Sequence, residues 1–134
     1  MFIPYPGVAF LIPSPRGYHL HFIITKPLRR EESEEVLVIG ITSSVIDPDF
    51  TLDRGDHEFI TYKSYINYHE AQILTVEKIR ENLDTTDRDK KFILKSTAHP
   101  EVVKHICRGL RESRFSRPQH REFCKEACPG KFGE

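Results

Sequence analysis

A mainly β protein, a small antiparallel barrel with a helix at its C-terminal end, is predicted by three features of the sequence. Three extended runs separated by turn signals fall within the first forty or so residues, too close together for crossover helices between them. Residues 36–41 form an aliphatic, β-branched run, the character of a strand buried on both faces. After Pro100 the apolar period lengthens to that of a helix. At 134 residues and 38% hydrophobic content the chain can build one core, and no second domain is needed.

Each element follows from local signals. Residues 7–12 are the first strand, stopped by PSPRG at 13–17, whose two prolines and glycine make a turn. Residues 18–25 are the second, closed by Lys26 and Pro27. The charged segment 28–35 is read as a hairpin connection, and residues 36–42 return as the third strand, with Gly40 marking a bulge or a close backbone approach. Asp47-Pro48 and Arg54-Gly55-Asp56 are turn signals around a short strand at 50–52. Residues 65–74 read as one further strand. Val76, Ile79 and Leu83 give a short helix capped by Thr75, residues 82–91 a polar connection, and 92–94 a last short strand. Pro100 suits a first helical turn, and Val102, Val103, Ile106 and Leu110 continue a helix to about residue 113. Residues 1–114 are thus expected as one barrel domain with its closing helix, and 115–134 as a basic, cysteine-containing tail. Lys104, Arg108 and Arg111 recur on one helical face, continued by Arg114, Arg117 and Arg121, and a solvated face is their expected role.

Composition excludes some functions. Twenty basic and twenty acidic residues cancel, which argues against bulk electrostatic binding of nucleic acid while leaving a local basic face open. No run approaches a membrane span, and the start MFIPYPG lacks the pattern of a secretory signal, so a cytoplasmic protein without membrane contact is expected. Cys107, Cys124 and Cys128 cannot all pair within the chain, which favours a reducing compartment.

Chemistry is suggested at three places. Thr42, Ser43 and Ser44 end the apolar third strand, where hydroxyls donate to a phosphate or an oxyanion, or else cap their own backbone. His19 and His21, two apart on a strand, project to one face, and such a pair can divide acid and base roles, with Arg16 or Lys63 as the cation. The second place is Arg54-Gly55-Asp56-His57 with Tyr62-Lys63-Ser64-Tyr65 and Tyr68-His69: aromatics among Lys and His suit stacking on unpaired bases, although Tyr65 and Tyr68 equally fit a half-buried sheet. The third is His120-x3-Cys124-x3-Cys128, three residues on one face if 122–127 are helical. Because the Cys-x2-Cys knuckle of common zinc sites is missing, free thiols are expected, with no metal and no cofactor.

The order of these elements resembles the MazF, PemK and Kid toxin ribonucleases over roughly residues 6–114, and the fold implied is their small SH3-like barrel. The most specific likeness is Gly40-Ile41-Thr42-Ser43, where that family often carries an Ile-Thr-Ser string with a catalytic Thr, here Thr42. Where the family has an Arg before its second strand, this chain has His19, with Arg16 three residues earlier, and Val8 stands where an acidic residue is usual. The resemblance implies a metal-independent endoribonuclease toxin acting on single-stranded RNA. Thr42, His19 and Arg16 are then the catalytic candidates, and Ser43, His21, Lys63, Tyr65 and Tyr68 the RNA contacts. A homodimer and a cognate antitoxin are implied as partners. The alternative is a non-catalytic SH3-like barrel that binds RNA or a protein through the surface around residues 62–69.

Overall fold

The computed structural model describes residues 2–128. Among the described residues there are eight strands: β1 Ala9–Ser14, β2 Gly17–Ile23, β3 Leu28–Arg30, β4 Ser33–Thr42, β5 Thr51–Leu52, β6 Ser64–Ile66, β7 Gln72–Thr75 and β8 Ile93–Lys95. Every ladder between them is antiparallel. Three helices accompany them, α1 Val76–Asp84, α2 Pro100–Glu112 and α3 Pro118–Ala127. The fold is the expected mainly β one with helices at its C-terminal end.

β4 organises the sheet because it pairs along both edges. Val38 faces Ile23 of β2 on one side and Gln72 of β7 on the other, and further along Glu35 sits between Leu28 of β3 and Thr75 of β7. The continuous path runs β5-β6-β4-β2-β1-β8. Its two end strands share no ladder among the described residues, so the barrel is open along a seam. One imidazole spans that seam, and a second ties α2 to β5. Nε2 of His57, just after β5, donates to the Ser96 carbonyl, just after β8, at 2.7 Å, and Nε2 of His105 on α2 donates to the Thr51 carbonyl at 2.8 Å.

The two faces of β4 explain its apolar run. Leu37 and Ile39 point inward with Leu11, Leu20, Phe22 and Ile66, against Val102, Ile106 and Leu110 of α2 and Phe123 and Cys124 of α3. Val36 and Val38 point the other way, with Phe10, Ile23 and Phe92, under Val76 and Ile79 of α1. Burial on both sides is what the continuous hydrophobicity encodes. Thr75 caps α1 as expected, its Oγ1 accepting from the Lys78 amide at 3.0 Å.

Two expectations change. The connection at 28–35 is itself sheet: β3 and the start of β4 form a hairpin whose turn holds Glu31 at φ 53°. The single strand expected at 65–74 is broken by one 3-10 turn, Tyr68–Glu70, because Tyr68 turns into the core. Its hydroxyl donates to the Ile106 carbonyl at 3.0 Å, and a Cβ at Gly109 would overlap that hydroxyl. Glycine at 109 is therefore what allows α2 to approach the tyrosine.

Residues 115–128 are part of the same body. Phe123 is fully buried, and Arg30 at the β3–β4 hairpin lies over its ring while bonding Glu126 at 3.2 Å. Of the arginines expected on a solvated face, Arg117 is exposed and bonds the His69 carbonyl from there, whereas half-buried Arg121 bonds the carbonyls of Leu110 and Ser113. No helix among the described residues is long and apolar enough to cross a membrane.

Candidate functional site

Register places the strand candidates in a row. His21 pairs with Gly40, and since paired residues share a face and alternate residues along a strand do too, His19, His21, Gly40 and Thr42 project to one side. Thr42 pairs with Tyr65, and Tyr65 with Thr51, which extends the row across β6 to β5. The β2–β4 ladder ends at His21–Gly40. His19 and Thr42 lie two register positions further out on that face, past the last β2–β4 pair.

Within this row the roles differ. The Thr42 hydroxyl accepts from the Ser44 amide at 3.2 Å, so it caps its own strand end while keeping a hydrogen to donate. Ser43 is exposed beside it. Lys63 holds its ammonium 5.9 Å from the Tyr65 ring centroid, a cation next to the residue that faces Thr42. Arg16 lies exposed in the β1–β2 turn, where its amide bonds Ser14 Oγ at 3.2 Å; its guanidinium makes no hydrogen bond or ion pair among the described residues.

Two proposed RNA contacts are corrected. Tyr68 is fully buried with its hydroxyl bonded to main chain, and burial raises its pKa above the ordinary tyrosine range, so no base can stack on it. His21 is packed rather than presented. Its Nδ1 donates to the His19 carbonyl at 2.9 Å, and its ring fills the space a side chain at Gly40 would take, where a Cβ would lie 2.6 Å from Nε2. Burial lowers its pKa to about 4, which leaves it neutral near pH 7 and no cation for a phosphate. The close approach predicted at Gly40 is thus made by an imidazole.

The Arg54–His57 cluster is structural. The Asp56 carboxylate accepts from the Asp53 amide at 2.6 Å within its own turn, so it does not orient His57. His57 Nδ1 accepts from the Phe59 amide at 3.0 Å, which puts the ring proton on Nε2. Ser96 Oγ lies 3.3 Å from that Nε2 and donates to Glu58 at 2.8 Å. A serine, a histidine and a carboxylate meet there, yet a nitrogen that already carries its proton cannot take one from the serine.

The thiols are free. Among the described residues no group of three or more His, Cys, Asp or Glu side chains is arranged to hold a metal ion. One feature escaped sequence reasoning: a cavity of about 980 Å³ between the end of β2, α2 and α3. Pro100, Val103, Lys104, Cys107, Arg108 and Arg111 line it, a single helical stripe. The recurrence of Lys104, Arg108 and Arg111 is the signal that could have found it, since a cysteine lies on the same stripe. No known protein family and no curated protein matches this sequence.

Proposed function

We propose that the chain is a metal-independent endoribonuclease of the toxin–antitoxin kind, acting on single-stranded RNA at the outer end of β2 and β4. The reading rests on one observation: continuing the β2–β4 register sets His19 opposite Thr42 two positions beyond the last pair, on the face shared with Tyr65 and beside Lys63. In this reading His19 removes the proton from a ribose 2′-hydroxyl, whose oxygen attacks the adjacent phosphorus. Thr42 and Ser43 donate to the non-bridging oxygens, Lys63 and Arg16 offset their charge, and Tyr65 stacks on a base. The 5′ oxygen leaves with a proton from solvent, and the products are a 2′,3′-cyclic phosphate and a 5′-hydroxyl. The likeness to the MazF group supports a homodimer and an antitoxin peptide as partners; sedimentation as a strict monomer at micromolar concentration removes the first.

The deciding experiment incubates the protein with a single-stranded RNA in excess chelator. Cleavage to a 2′,3′-cyclic phosphate, abolished by a 2′-deoxy nucleotide at the cut, is the expected result. Intact RNA, or cleavage that stops with chelator, defeats the proposal. A second reading, a non-catalytic barrel binding RNA or a protein partner, is favoured by one fact: Tyr62, next to Lys63 in the sequence, is 62% exposed. Retarded but uncut RNA supports that reading.

A further inference from the structure

We propose that Cys107 is a site of reversible oxidation by hydroperoxides, with Cys124 as the thiol that resolves it into a Cys107–Cys124 disulfide. Three observations about the cavity behind α2 and α3 converge on this. Cys107 is half-buried in the cavity wall, reachable by a small oxidant, whereas Cys124 is fully buried behind it on α3. Both cysteines line the same cavity, Cys107 from α2 and Cys124 from α3, so the partner needed for a disulfide borders the same space. The wall around Cys107 is cationic: Lys26, Lys104, Arg108 and Arg111 line the cavity with Glu101 as the acid among them.

Exposure assigns the roles of the two thiols, and protonation agrees with it: half-buried Cys107 is the one a peroxide reaches, and fully buried Cys124 is the one behind it. Cys107 donates weakly to the Ile24 carbonyl at 3.5 Å. The neighbouring Cys124 thiol, helped by the Arg111 guanidinium, holds the Cys107 pKa below its ordinary value against the opposing effect of burial. The neighbouring Cys107 and burial push the Cys124 pKa up. Cys107 is therefore the attacking sulfur and Cys124 the reserve of a proton.

In the first step the Cys107 thiolate attacks one oxygen of hydrogen peroxide. An S–O bond forms, the O–O bond breaks, and the departing hydroxide takes a proton to become water, the sulfur losing two electrons to the peroxide. In the second, the Cys124 sulfur attacks the sulfenic sulfur. An S–S bond forms, the S–O bond breaks, and the hydroxyl leaves as water with the Cys124 proton. A reducing thiol reverses the sequence by exchange.

The test uses the reduced full chain and dilute hydrogen peroxide, followed by alkylation and tryptic mass mapping. Cleavage after Lys104, Arg108, Arg121, Lys125 and Lys131 puts each cysteine on its own peptide, 105–108, 122–125 and 126–131. The expected product is a linked pair of 105–108 and 122–125, lost on treatment with dithiothreitol, while Cys128 remains alkylated. In the Cys124→Ser variant, Cys107 is expected to accumulate as a sulfenic acid trapped by dimedone. Three thiols still alkylatable after peroxide, a linkage through Cys128, or oxidation of Cys124 in Cys107→Ser would overturn the proposal. The wild-type linkage map decides the matter even if either variant fails to fold.

Discussion

Replacing Gly40 with alanine would set a Cβ 2.6 Å from Nε2 of His21, so either the ring or the strand has to shift. Overpacking of this kind costs about 1–3 kcal/mol, and in a double-mutant cycle with His21→Ala most of that cost should disappear, which urea titration of the four proteins measures. His21 also couples folding to pH. Its folded pKa of about 4 lies below the ordinary 6.5, so between these values the unfolded chain binds more protons, and stability falls as pH drops through that window before levelling off below it. The loss is on the order of 3 kcal/mol at most. His21→Gln should flatten the stability curve between pH 6.5 and 4, and an unchanged slope would show the ring to be solvated. For the proposed chemistry, Thr42→Ala should slow RNA cleavage roughly ten- to a thousandfold with an unaltered unfolding midpoint, by the scale of a lost oxyanion donor. His19→Ala should do the same, and equal rates in both variants and wild type would move the site elsewhere. Thr42 is legible in the sequence because a hydroxyl directly after an apolar run stands where a strand leaves the core. Tyr68 is not, because its burial depends on a glycine at 109, far away in the chain, whose missing Cβ admits it.

Helices were easier to read than strands because their signals are local. Thr75 and Lys78 lie within one turn, and Pro100, Ile106 and Leu110 within one amphipathic stretch, so cap and period together predict α1 and α2. The energies attached to those signals differ. Thr75→Ala removes one hydrogen bond at an exposed helix end and should cost about 1 kcal/mol, whereas Ile106→Ala leaves a hole in the core and should cost about 2–5 kcal/mol. Chemical denaturation of both variants checks the order, and a cap variant as costly as the core one would mean that α1 nucleates the rest. Residues 65–74 were misread for the opposite reason. Their alternation permits a strand, but a core position available to Tyr68 outweighs two or three sheet hydrogen bonds, and the chain turns to reach it. Arg114 and Arg117 are exposed as a charge run predicts, but Arg121 departs from it, because the carbonyls ending α2 lie within its reach.

For the molecule as a whole, the pairing of β1 with β8 and the open seam were invisible to local reasoning, since long-range partners are chosen by the packed core rather than by the strand's own residues. The seam depends on few bonds. His57→Ala would remove the donor to the Ser96 carbonyl and the edge contact with Phe22, at a cost of about 2–4 kcal/mol, and the amides of β8 should then exchange with solvent faster than those of β2. Equal acceleration in both strands would show that the variant loosens the whole sheet and that the seam has no separate stability. The β1–β8 ladder also orders events in time. Ala9 is made well before its partner Lys95, so during synthesis the hairpin of β1 and β2 can form early while its outer edge waits for β8 to emerge. Throughout that interval the backbone of Phe10 and Leu11 is an unfilled template. A nascent chain halted before residue 93 is therefore the form of this protein most exposed to pairing with a neighbour's strand.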